Sequence, residues 1–132
     1  TRAARYVADV SEGLLQVHAH QLVHRDIKPA NILLHSSRDE AMLTDFGLVA
    51  EIGDTNTGCT LSFMAPEALF GEVSPKIDVY SLSATLFCLI TSEVPFRFPK
   101  KGYSAESVRN HCQQIAAGIP ADDPRCRIMP EV

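Results

Sequence analysis

Three things are missing from this chain. It has no excess of basic charge, no paired cysteines and no membrane-length apolar run. The formal net charge is −4 and the pI is near 5.7, which leaves no electrostatic footprint for nucleic acid or for contact with an anionic membrane. The longest apolar run, Val79 to Ile90, is interrupted by serine and threonine. It is too short for a bilayer, which takes about 20 apolar residues, and it predicts a buried helix instead. The four cysteines, Cys59, Cys88, Cys112 and Cys126, form no CxxC pair. Free thiols in a reducing, cytoplasmic setting are expected, with Cys88 in the core. His111, Cys112 and Cys126 lack zinc spacing. His18 and His20 would point about 200° apart on a helix, so with His24 they cannot gather on one ion. No serine or cysteine nucleophile motif and no internal repeat is found.

What is present describes a folded domain. Its 132 residues, 45% of them hydrophobic, are enough for one core and argue against disorder. Ala3, Val7, Val10, Leu14 and Val17 fall on one helical face, predicting a helix over about 2–20. Asn31 to His35 and Ala41 to Thr44 read as strands joined by the polar turn 36–40, a hairpin that brings Asn31 and Asp45 to the same side. Residues 48–62 have no period and read as an exposed, mobile loop. Pro66 suits the first turn of a short helix. Ile77 to Thr91 is apolar nearly all round, the pattern of a helix buried in mid-domain, entered at Ser74 or Pro75 and ended by residues 93–96. Tyr103 to Gly118 predicts another helix, capped by Ser104 with Gly118 past its end. Residues 120–130 look irregular.

The chain is organised around His24-Arg25-Asp26-Ile27-Lys28-Pro29-Ala30-Asn31. Pro29 lacks an N–H and pushes its predecessor away from helix, so a loop is expected. A carboxylate, an ammonium and an amide on one ordered loop suit a polyanionic substrate with a bound cation. Asp45-Phe46-Gly47 and Ala65-Pro66-Glu67 follow in order. Together these motifs resemble the signature set of the eukaryotic-like (Hanks-type) serine/threonine protein kinases.

That resemblance implies an α+β fold: a protein-kinase-like large lobe, mostly helical with a short β-hairpin, covering 1–132 and truncated at both ends. A kinase domain of the family is about twice as long. Its glycine-rich loop, strand lysine and partner glutamate map nowhere on this chain. The implied activity is transfer of the ATP γ-phosphoryl group to Ser or Thr hydroxyls of a protein substrate. Asp26 would accept the hydroxyl proton, and Lys28 would neutralise the moving phosphoryl. Asn31 and Asp45 would hold Mg2+ against the ATP phosphates, and Thr60 would hydrogen-bond near Asp26 and Lys28. Lysine at position 28 resembles the Ser/Thr-directed branch. Cys59 stands where many relatives have glycine. Arg25 implies switching by phosphorylation, with Thr55 and Thr57 as candidates. His24 and Phe46 would join a buried stack, and Asp78 would reach the backbone beside Asp26. Glu67 would lack its usual arginine, since Arg125 and Arg127 come too early. The piece by itself is expected to be inactive. The rival expectation is a pseudokinase-like binding scaffold, which would not need Asp26, Lys28, Asn31 and Asp45 together.

Overall fold

The computed structural model describes residues 1–46, 50–51, 61–98 and 104–127. Helix α1 spans Arg2–Ala19, with the Thr1 hydroxyl accepting from the Ala4 amide at its start. Its predicted apolar face is the one that packs. Val10 and Leu14 are buried with Ile27, Ala41 and Leu82, and Val7 and Val17 lie against them. Strand β1, Leu22–Val23, follows.

The proline loop is a 3-10 turn over Pro29–Asn31, so Asn31 closes a turn rather than opening a strand. Proline needs no N–H in that first turn, which is why it is tolerated there. Strands β2, Ile32–Leu34, and β3, Ala41–Leu43, form the expected antiparallel hairpin, pairing Ile32 with Leu43, Leu33 with Met42 and Leu34 with Ala41.

The expectation of an irregular 48–62 loop needs correction in two places, at Ala50–Glu51 and at the 3-10 turn that begins at Leu61. Ala50–Glu51 forms strand β4, antiparallel to β1, with Leu22 opposite Glu51 and Val23 opposite Ala50. A two-residue ladder between distant segments leaves no periodicity to read. Residues 52–60, with Thr55, Thr57, Cys59 and Thr60, lie outside the described residues.

Short 3-10 turns cover Leu61–Phe63 and Pro66–Phe70, the second closed by Gly71 at φ 86°. That left-handed backbone suits glycine, which has no Cβ to clash. Helix α2 runs over Pro75–Thr91. It was expected to be buried all round, yet Val79 is 57% and Leu89 39% exposed, while Ile77, Leu82, Ala84 and Phe87 are buried. The buried positions wrap more than half of α2 and leave an exposed strip along Lys76, Val79 and Ser83. Helix α3, Ala105–Ala117, begins with a capping box between Ser104 and Ser107 and ends at Gly118. Arg125 ties the final turn, Pro124–Arg127, back to the end of α2. Its guanidinium bonds Asp123 and the carbonyls of Val94 and Pro95, and lies 5.1 Å over the Phe87 ring. Among the described residues, no helix is long and apolar enough to cross a membrane.

Two hydrophobic clusters meet at the central loop. One gathers Val23, Met64, Ala65, Ala68, Val73 and Ile77; the other is the α1 cluster containing Ile27. Val23 and Ile27 are 0% and 1% exposed. Each such side chain stabilises by about 1.5–3 kcal/mol when fully buried. The loop between them is therefore pinned at both ends in different parts of the core.

Candidate active site

Between those two anchors the backbone is held from below by α2. Asp78 sits in the first turn of that helix and is 0% exposed. Its carboxylate accepts the backbone N–H of His24 at 2.8 Å and that of Arg25 at 2.9 Å. His18 Nε2 lies 2.8 Å from the same carboxylate. The expected reach of Asp78 to this backbone is present. Its contact with His18 has no signal in the sequence, because residues 18 and 78 meet only in the folded chain. His18, His20 and His24 each have a separate partner: Asp78, the Gln16 carbonyl and the Thr44 carbonyl.

His24 is fully buried and links the loop to the hairpin. Its Nε2 lies 2.9 Å from the Thr44 carbonyl, and its Nδ1 accepts the Asp26 N–H at 3.2 Å. Those two partners require the ring proton on Nε2. Phe46 meets the His24 ring edge-on, with centroids 5.1 Å apart. The stack exists, but Phe46 is 52% exposed, so it is buried on one side only. Arg25 is held at φ 75° and Asp45 at φ 59°. Non-glycine residues in that region cost of order 1–3 kcal/mol and cluster where surrounding structure enforces them. Here Asp78 grips Arg25, and the Thr44 contacts grip the residue before Asp45.

The structure brings Asp26, Lys28 and Asn31 together. Asn31 Nδ2 donates to the Asp26 carboxylate at 2.9 Å and to the Asp26 carbonyl at 2.8 Å, and Lys28 Nζ lies 3.3 Å from Asp26 Oδ2. Asp26 and Asn31 are 7% and 6% exposed. With both amide hydrogens of Asn31 directed at Asp26, its Oδ1 takes no hydrogen bond among the described residues. Asp45 is brought alongside by backbone: Thr44 donates its N–H at 2.8 Å and its hydroxyl at 3.1 Å to the Asn31 carbonyl. The Asp45 carboxylate is exposed. Thr60 lies outside the described residues, so its place beside Asp26 and Lys28 is not described.

Among the described residues, no group of three acidic, His or Cys side chains gathers as a metal cage. The oxygens that would be offered to a cation are one carboxylate, Asp45, and one amide oxygen, Asn31 Oδ1. Two hard oxygens that leave most positions to water and phosphate fit Mg2+, which dehydrates reluctantly and is seldom caged by protein alone.

Glu67, in the turn after Pro66, makes no ion pair among the described residues, and Arg125 pairs with Asp123 instead. Burial and the Glu67 charge push the Tyr80 phenol up to about 12. Beside Phe46, a cavity of about 260 Å³ opens between α1 and β3, lined by Val10, Gly13, Val17, Met42 and Leu43. Leu33 and Met42, paired across the hairpin, are 54% and 48% exposed.

A model of the protein kinase domain matches residues 1–128. The proto-oncogene serine/threonine-protein kinase mos of Rattus norvegicus is 34% identical over 126 residues, covering 86% of this chain and 37% of its own length. The serine/threonine-protein kinase PknJ of Mycobacterium tuberculosis is 40% identical over 105 residues, covering 72% of this chain and 18% of its own. The mos kinase of Sus scrofa is 40% identical over 102 residues, 72% of this chain and 29% of its own. The chain thus spans less than two fifths of these relatives.

Proposed function

Since this chain belongs to the protein kinase domain family, we propose that it is the large-lobe part of a serine/threonine protein kinase whose small lobe and final helices are not among these residues. The whole domain would transfer the γ-phosphoryl group of ATP to Ser or Thr hydroxyls of a protein substrate in the cytoplasm. The observation that carries this reading is the Asp26–Asn31–Lys28 cluster, set on a backbone that Asp78 grips.

The substrate hydroxyl oxygen bonds to the γ-phosphorus while the bond to the β–γ bridging oxygen breaks, and ADP departs. Asp26 accepts the hydroxyl proton through whichever carboxylate oxygen faces the cleft; Asn31 and Lys28 keep the group aimed. Lys28 adds positive charge beside the phosphoryl group as it moves. Asn31 Oδ1 and the Asp45 carboxylate would hold Mg2+. That ion supplies charge neutralisation on the phosphate oxygens. Thr60 would complete the hydrogen bonding around Asp26 and Lys28. Phosphorylation at Thr55 or Thr57 would order its segment through Arg25.

In the full-length protein, Asp26→Asn is expected to lower kcat by roughly 10²–10⁴-fold, the usual contribution of a positioned base. Nucleotide affinity should stay near that of the parent. Undiminished turnover of Asp26→Asn would sink the assignment.

A further inference from the structure

The tip of the β2–β3 hairpin is fastened to α1 from both directions. Asp39, in the turn at φ 52°, points its carboxylate at the first turns of the helix. The Arg5 guanidinium and the Tyr6 hydroxyl both donate to it, and Arg5 also reaches the Asp39 carbonyl at 3.3 Å. Arg2 Nε lies 3.8 Å away. In the reverse direction Asp9, on α1, accepts the backbone N–H of Ala41 at 3.0 Å. Residues 2, 5, 6 and 9 share one helical face. The Tyr6 hydrogen bond first, then the Arg5 guanidinium, hold the Asp39 carboxyl below its ordinary value.

We propose that this two-way latch is a positioning device for the metal-holding end of the hairpin, setting Asn31 and Asp45 in register through β2 and β3. The inference rests on the reading that those two residues hold Mg2+. The three strand pairs, extended by His35 N–H to the Glu40 carbonyl and Thr44 N–H to the Asn31 carbonyl, make a two-stranded hairpin that is marginally stable by itself. A slip of one residue would turn every side chain to the opposite face. It would also turn the Ala41 N–H away from Asp9. Asn31 and Asp45 flank the two strands at their open end, so the same slip would change how the two side chains face each other. Exposed ion pairs contribute little to stability, so the latch acts on geometry more than on folding free energy.

The test uses the full-length kinase with Mn2+ as the probe, its binding followed by electron paramagnetic resonance in the presence of ADP, beside the apparent KM for Mg2+. In Asp39→Ala, Mn2+ affinity should fall and the KM for Mg2+ rise by up to roughly tenfold, the lower end for partners outside a metal's own ligands. At saturating Mg2+, kcat should be near that of the parent. Tyr6→Phe, which removes only a hydroxyl, should move both readings the same way with the thermal midpoint unchanged. Loss of Mn2+ affinity in Asp45→Asn but not in Asp39→Ala overturns the latch alone. Unchanged affinity in both variants overturns the metal assignment beneath it, and the latch's role with it. If affinity drops only in variants whose thermal midpoint also drops, the latch is structural and the proposal fails.

Discussion

At the scale of single residues, His111 on α3 shows what burial does to a titratable group. It is 3% exposed, its ring meets Phe98 at 4.7 Å, and its buried Nδ1 has no hydrogen-bond partner among the described residues. Burial pushes its imidazole below the ordinary value of 6.5, opposed only by a backbone hydrogen bond at Arg97. The folded state therefore binds its proton less readily than the unfolded chain does. The stability held by neutral His111 is complete above about 6.5 and is lost as pH falls through the lower folded value. Hydrogen-exchange protection of the α3 amides should hold above about pH 6.5 and decline as pH falls below it. In His111→Phe that decline should flatten. An identical pH profile in the variant would show that the loss originates elsewhere. His111 itself was legible in the sequence only as a rejected zinc ligand; its burial depends on Phe98 folding over it.

Between elements, the decisive link is Asp78, which joins α2 to the loop carrying Asp26. Asp78→Ala would leave the N–H groups of His24 and Arg25 buried without an acceptor and remove the partner of His18. Breaking a buried, hydrogen-bonded charge costs about 3–5 kcal/mol, so the thermal midpoint of Asp78→Ala should fall by many degrees. Asp78→Asn keeps one acceptor oxygen and should lie between variant and parent. If Asp78→Ala melted with the parent, the grip on the loop would be unimportant. The helix bounds around this link were readable beforehand. The apolar steps of α1, the Ser104 cap and Gly118 stop of α3, and Pro75 at the start of α2 are local signals acting within a turn or two. The contact between Asp78 and His18 has no such signal, because sixty residues separate the two.

For the whole molecule, several large apolar side chains lie exposed among the described residues. Leu33, Met42 and Phe46 are about half exposed beside the candidate site, and Phe70 is 75% exposed. The family's glycine-rich loop and strand lysine cannot be placed on these residues. The isolated 132-residue chain is therefore expected to phosphorylate a protein or peptide substrate at no more than background. Radiolabelled phosphate transfer from ATP measures this directly. Ordinary turnover would show that these residues suffice.

The sequence alone determined the motif order, the hairpin, the three helices and the family resemblance, because periodicity, capping and proline or glycine chemistry act over a few neighbouring residues. Only the tertiary structure decided the pairing of β1 with β4, the partial exposure of α2, the bonds tying Asn31 to Asp26, and the Asp39 latch. The Asn31–Asp26 bonds span five residues of one loop and depend on how its core anchors fold it; the others depend on two distant segments meeting at a definite angle. The pattern of either segment on its own carries no record of that meeting.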